Sequence, residues 1–250
     1  MNQQFLTELK AVTAENRIFT DEPMKKHTTF RVGGPADILV QPKGTELAAV
    51  IRLCRKYDVP YQVIGNGSNL LVGDRGIRGL VIEMLSKEDE ICVEDDCITV
   101  GAGMLLSKTA NRAAEHGLTG MEFAAGIPGR IGGAVVMNAG AYGGEMKDIL
   151  TAVTVLDQEG NEKILSAEEL ELGYRTSCIL KKGYIVTGAK IKLKHGEETA
   201  IRARMEELKK QRVEKQPLEY PSAGSTFKRP EGYFAAVSYT HLRAHETLSD

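Results

Sequence analysis

The chain holds only four cysteines, Cys54, Cys92, Cys97 and Cys178. None forms a Cys-x-x-Cys pair or stands near a histidine at zinc-ligand spacing, so no metal site is expected and the thiols read as reduced. An excess of charge of one sign is also missing. The formal net charge is -2, which removes the electrostatic reason to expect nucleic acid or an anionic membrane as partner and leaves a small molecule. No apolar run reaches the roughly 18 residues that a membrane helix requires, and Met1-Asn-Gln-Gln-Phe-Leu-Thr-Glu8 lacks the basic start and apolar centre of a secretory signal. The expected location is the cytoplasm. Internal repeats and low-complexity tracts are absent too, while 42% hydrophobic and 26% charged residues over 250 positions suit a globular protein of one or two domains.

What is abundant is glycine, in one place above all. Gly126-Ile-Pro-Gly-Arg-Ile-Gly-Gly-Ala-Val-Val-Met-Asn-Ala-Gly-Ala-Tyr-Gly-Gly-Glu145 carries only two charged side chains, Arg130 and Glu145. Such a segment works through its backbone, because glycine reaches positive φ and lets main-chain amides approach a ligand. A second loop, Ile64-Gly-Asn-Gly-Ser-Asn-Leu-Leu-Val72, turns small polar groups and amides the same way. It fails the dinucleotide fingerprint, since Leu70 replaces the third glycine, and no Gly-Lys-Ser/Thr marks a P-loop. On its own it reads equally as a tight turn. Two such loops together fit an extended dinucleotide better than a simple phosphate, with Pro128 stiffening the second and Asn138 open to a turn-capping role.

Around these loops the pattern is mixed α/β with many short strands. An amphipathic helix is expected over residues 5–15, an irregular lead-in over Asp21–Gly34, and a β-α-β unit of Ala36–Val40, a helix capped by Thr45, and Tyr61–Ile64. Short strands are expected at Leu70–Val72, Gly79–Met84, Ile91–Val93 and Cys97–Val100, then a helix over Met104–His116. A hairpin follows around Asp157-Gln-Glu-Gly160, with a longer strand over Tyr184–Leu193 and a charged helix over Ile201–Lys215 that sets Ile201, Met205 and Leu208 on one stripe. A domain change is expected near Lys194–Glu198.

Taken in order, Gly65-Asn-Gly-Ser-Asn-Leu-Leu-Val72, Gly126-Ile-Pro-Gly129 with Gly132-Gly-Ala and Met137-Asn-Ala-Gly-Ala-Tyr-Gly143, Tyr174-Arg175, and Ser222-Ala-Gly-Ser-Thr-Phe-Lys228 resemble the UDP-N-acetylenolpyruvoylglucosamine reductase family. The resemblance runs from about Lys26 to Phe234. It implies an FAD-binding PCMH-type (vanillyl-alcohol-oxidase-like) fold, α+β, of two α/β subdomains plus a C-terminal substrate domain. The implied division is a helix and lead-in over 1–25, the FAD-binding domain over 26–194, and the start of a substrate-binding domain over 195–235. The implied reaction is NADPH-dependent, FAD-mediated reduction of the enolpyruvyl ether of a UDP-sugar to UDP-N-acetylmuramate, for peptidoglycan. By that resemblance Gly65, Asn66, Gly67, Ser68, Asn69, Leu70, Gly126, Ile127, Pro128, Gly129, Gly132, Gly133 and Asn138 hold FAD, with Thr29-Phe-Arg-Val-Gly33 nearby.

The resemblance also implies that Arg175 is the catalytic cation and Ser225 the proton donor. Read from the residues alone, Arg175 is an ordinary arginine and Ser225 a Ser/Thr turn. Lys215, Lys228 and Arg229 suit the substrate diphosphate, as does Arg212, and the four together also read as a solvated basic edge. Residues 236–250, Ala236-Val-Ser-Tyr-Thr-His-Leu-Arg-Ala-His-Glu-Thr-Leu-Ser-Asp250, depart from the family pattern. A foreign or frameshifted tail is the expectation there, with the family's C-terminal catalytic glutamate lacking a counterpart, Glu246 not assigned that role, and weak turnover as the consequence. His241 and His245 at i, i+4 are not expected to bind metal. The competing readings are a flavin-binding module without turnover and another FAD oxidoreductase of the same fold.

Overall fold

A computed structural model describes residues 3–86, 91–216 and 218–224. The first sheet is built on the β-α-β unit. Strands β1 (Ile18–Pro23), β2 (Pro35–Val40), β3 (Tyr61–Ile64) and β4 (Ile77–Glu83) lie in the order β1-β2-β4-β3. β1 runs antiparallel to β2, whereas β2, β4 and β3 are parallel, so the crossover from β2 to β3 leaves a slot that β4 fills. A strand in that slot is covered on both faces. Accordingly Leu80, Val81 and Ile82 of β4 are all buried rather than alternating with polar residues.

One face of this sheet is closed by helices α1 (Gln3–Val12) and α2 (Gly44–Lys56), whose Phe5, Leu9, Leu47, Val50, Ile51 and Cys54 pack on Ile38, Val40, Leu80 and Ile82. Met24, Val72 and Ile64 cover Leu39 and Val81 on the other. The start of α2 differs from the expected Thr45 cap. The helix begins at Gly44, and Glu46 supplies the capping carboxylate, accepting the Lys43 N–H at 2.9 Å while two Arg17 guanidinium nitrogens hold it at 2.7 and 2.8 Å.

The second sheet is wholly antiparallel. Strands β5 (Ile91–Glu94), β6 (Cys97–Gly101), β10 (Leu150–Leu156), β11 (Glu162–Ser166) and β12 (Ile185–Lys192) take the order β11-β10-β12-β6-β5. Helices α3 (Leu106–Glu115) and α4 (Ile131–Val136) pack against it through Leu106, Ala110, Ala113, Ile131, Ala134 and Val135. Smaller pieces complete the chain: β7 (Leu118–Thr119) pairs with β13 (Lys194–His195), β8 (Gly140–Ala141) with β9 (Gly144–Glu145), and α5 (Cys178–Lys182) precedes β12. The charged helix α6 (Glu198–Lys215) buries Ile201 and Leu208, and it packs on α3, β7 and the turn at Glu122–Ala124. The two sheets meet where Leu156 and Ile185, from the second, join the core of the first.

Two expected features are corrected. The lead-in Asp21–Gly34 is not irregular throughout: its first three residues end edge strand β1, where proline is tolerated because an edge N–H need not join a ladder. Leu70–Val72 is not a strand. Val72 is instead drawn in over Gly33 to plug the space there, and Leu71 is left exposed.

Candidate functional site

The two glycine loops, far apart in sequence, meet. The Asn66 side-chain amide donates to the Pro128 carbonyl at 2.8 Å, and a β-carbon on Gly129 would lie 3.9 Å from Ser68 Oγ. Glycine at 67 is obligatory for this arrangement. It sits at φ +57°, and a β-carbon there would lie 2.0 Å from the His27 carbonyl oxygen. The lead-in thus lies directly on the loop, and Thr29 N–H donates to Gly67 O at 3.3 Å.

The segment before Ser225 arrives at the same place. Thr29 Oγ1 donates to the Ser222 carbonyl at 2.5 Å, Ser222 N–H returns a bond to Thr29 O at 3.2 Å, and Gly224 rests 3.3 Å from Ser68 O by its missing β-carbon. Ser225, Lys228, Arg229 and the tail from Ala236 lie outside the described residues. Of the other basic candidates, Lys215 stands exposed at the end of α6, whereas Arg212 is half-buried with its Cδ 3.4 Å from the β-carbon position of Gly126. The structure therefore brings Arg212, not Lys215, to the second loop.

Within the glycine-rich segment the backbone first bonds to the second sheet's approach: Leu106 N–H to Gly129 O at 3.0 Å, Ile131 N–H to Met104 O at 2.8 Å and Gly132 N–H to Ala102 O at 2.8 Å. Gly132 is there for packing, since a β-carbon would come within 3.1 Å of Ala102 Cβ; Gly133 faces open space, with nothing within 4 Å. After the helix, Asn138 is buried at φ +42° and braces three strands of chain. Its oxygen accepts the Lys147 N–H at 2.9 Å, and its amide donates to Glu145 Oε2 at 2.7 Å and to Gly173 O at 3.3 Å. It is a cross-brace more than a turn cap.

The Gly173 bond matters because it fixes the turn that carries Arg175. Gly173 and Thr176 exchange backbone hydrogen bonds at 3.1 and 3.3 Å, with Arg175 at φ +56° between them. Buried Ser177 closes the other side, its hydroxyl donating to Val136 O at 2.7 Å. Arg175 is half-buried, its guanidinium carbon 5.8 Å from the Tyr174 ring centroid. A fixed cation at positive φ for a non-glycine residue is a local strain that the flanking bonds sustain.

Beneath the first loop lies a polar cluster that sequence reading missed. His27 Nδ1 and Nε2 stand 3.1 Å from Glu83 Oε2 and 3.1 Å from Glu22 Oε1, and Gln41 donates to Glu83 at 2.7 Å. The hydrogen bond with Glu83 raises the His27 pKa above its ordinary value, against the opposing effect of burial. For Glu83 burial acts most strongly, upward, yet the bonds from His27 and Gln41 together prevail and hold its carboxyl below the usual range. No pattern of spacing announces this cluster, whose members come from two strands, β1 and β4, the residue after β2 and the turn at His27.

The residues fit an extended anionic dinucleotide. Small-residue loops face each other, Gly133 opens on free space, and Arg130, between the loops, has a buried Nε with no hydrogen-bond partner. Comparison with known proteins agrees. Residues 36–166 match the FAD binding domain family. The fold is shared, at 18% identity and a TM-score of 0.57 over 78% of this chain and 44% of the other, with alkyldihydroxyacetonephosphate synthase. The protein is thus an FAD-binding flavoprotein of the PCMH-type fold.

Nearer relatives narrow this. A UDP-N-acetylenolpyruvoylglucosamine reductase of Agathobacter rectalis is 53% identical over 94% of this chain and 79% of its own length, and one of Clostridium tetani 54% identical over 94% and 76%. The crystal structure of the Thermus caldophilus reductase superimposes with a TM-score of 0.74 at 41% identity, over 88% of this chain and 77% of the other. The chain belongs to the UDP-N-acetylenolpyruvoylglucosamine reductase family.

Proposed function

We propose that the protein reduces the enolpyruvyl ether of UDP-N-acetylglucosamine enolpyruvate to the lactyl ether of UDP-N-acetylmuramate, with NADPH as hydride donor, in the cytoplasmic supply of peptidoglycan precursors. The observation that carries this reading is the anchoring of the Arg175 turn to the glycine-rich segment, through Asn138 to Gly173 and Ser177 to Val136. It holds a cation beside the loops that suit FAD. FAD held there would supply the hydride transfer, from NADPH to the methylene carbon of the enolpyruvyl group.

The loops Gly65–Leu70 and Gly126–Gly133, with Asn138, are read as holding FAD. Arg175 binds the substrate carboxylate through its planar fork and stabilises the negative charge that grows there in the transition state. Ser225 gives its proton to the α-carbon; Gly224, beside it in the chain, lies against Ser68 of the first loop. Arg212 takes the first place among candidates for the substrate diphosphate because it lies on Gly126, with Lys215, Lys228 and Arg229 as the further basic groups. Residues 26–194 are read as the FAD-binding domain and those from 195 as the start of the substrate domain.

The test is anaerobic half-reaction spectroscopy. NADPH is expected to bleach the flavin and the enolpyruvyl UDP-sugar to restore it, with simple alcohols and sugars inert. In Arg175→Met the restoring step is expected to slow by about 10²–10³-fold, as for loss of one donor to a developing anion. Colourless protein that FAD cannot reconstitute refutes the reading. Bleaching without any restoration by the UDP-sugar instead favours a flavin-binding module without turnover.

A further inference from the structure

We propose that Arg130 is a binding residue for the diphosphate of FAD, its guanidinium the cation that joins the two glycine loops across the anion. The inference rests on the FAD reading above and adds to it a charged side chain. Arg130 stands immediately before α4, and its aliphatic stem lies along the first loop: Cβ, Cγ and Cδ are 3.2, 3.4 and 3.4 Å from the β-carbon position of Gly65. A side chain at 65 would displace it. The guanidinium is tethered once, Nη1 donating to Gly103 O at 2.5 Å.

The rest of its hydrogen-bonding capacity is unspent. Nε is shielded and lacks a partner, and no carboxylate among the described residues forms an ion pair with Arg130. The opposing charge that acts on it, Glu83, is engaged by His27 and Gln41 instead. A half-buried cation without a counter-charge is costly, and burial accordingly depresses its pKa. The arrangement becomes favourable when an anion arrives between the loops. Arginine suits that task because its fork meets two phosphate oxygens at once.

The experiment compares FAD with riboflavin, which lacks phosphate, by fluorescence titration of deflavinated protein carrying Arg130→Met or Arg130→Lys. Loss of a charge-assisted contact is expected to raise the FAD Kd about 10- to 100-fold in the methionine variant and less in the lysine variant, with riboflavin within about twofold. Inorganic pyrophosphate is expected to compete with FAD in the wild type. Equal weakening of FAD and riboflavin overturns the proposal, because it marks Arg130 as packing alone; so does an FAD Kd within about twofold of wild type. If the methionine variant does not fold, the lysine variant makes the same comparison. Wild-type protein that binds neither flavin sinks the FAD reading and this inference together, whereas normal wild-type binding with unaffected variants sinks only the role of Arg130.

Discussion

Replacing Asn138 tests how the Arg175 turn is held. Asn138→Gly keeps the positive φ without strain but removes three hydrogen bonds, to the Lys147 N–H, Glu145 and the Gly173 carbonyl. Glu145 is 30% exposed at its side chain and also ion-paired to Lys147, so its charge-assisted bond counts for about 1.5 kcal/mol, the low end of the usual range. The Lys147 bond adds about 1 and the long Gly173 bond about 0.5, which sets the loss near 3 kcal/mol. Asn138→Ala removes the same bonds and forces a β-carbon into the left-handed region at φ +42°, for about 1 kcal/mol more. Urea denaturation with a common m-value gives both numbers. The difference between the two variants isolates backbone strain from hydrogen bonding. On the proposed role of Arg175, flavin re-oxidation by substrate should slow more than FAD affinity falls, because Gly173 is released while the loops keep their own contacts. A loss under about 1 kcal/mol in the glycine variant refutes the brace, whereas equal losses in both refute only the strain at residue 138.

Gly67→Ala is expected to be more severe, because its β-carbon would fall 2.0 Å from the backbone oxygen of His27, which cannot swing aside; expect loss of FAD binding and destabilisation of at least about 2 kcal/mol by urea titration. The His27 cluster sets a stability window. Raised in the fold, His27 contributes fully below its unfolded value near 6.5 and loses that contribution as pH rises through its higher folded pKa, while Glu22 and Glu83, lowered in the fold, contribute above about 4.5 and lose it as pH falls. Stability against pH should therefore decline on both sides, and His27→Gln should abolish the decline on the alkaline side; an unchanged profile counts against the cluster. Thiol labelling should be selective: exposed Cys92 reacts in the native protein, whereas Cys54, buried and pushed up to about 12, and fully buried Cys178 react only after unfolding. Native-state modification of Cys54 at the Cys92 rate would contradict the packing of α2.

Periodicity carried most of the framework because the elements it found bury their own faces. The alternation in Cys97–Val100, the helical spacing of Leu47, Val50, Ile51 and Cys54, and the turn chemistry of Asp157–Gly160 each read correctly, and the first two bury the face that their pattern marks. Local pattern failed where a distant partner decides the outcome. Leu70-Leu71-Val72 has strand composition, yet Val72 is taken up in covering Gly33, more than thirty residues earlier in the chain. Ile131–Val136 forms a helix although two of its six residues are glycines, each costing about 1 kcal/mol of helix propensity; at Gly132 the cost is met by packing, since a β-carbon there would come within 3.1 Å of Ala102 Cβ. The site shows the same division. Its glycines are visible as composition, whereas what fixes them comes from far along the chain: His27 against Gly67, Gly173 against Asn138, Arg212 against Gly126. One signal was available. Among the twenty residues from Gly126 to Glu145 only Arg130 and Glu145 are charged, and a segment that works through its backbone has little reason to keep a charge unless that charge is used. Glu145 holds the brace of the Arg175 turn, and Arg130 spans the two loops with hydrogen-bonding capacity unspent. In such a segment the sparse charges, more than the many glycines, point to where the anion and the turnover chemistry meet.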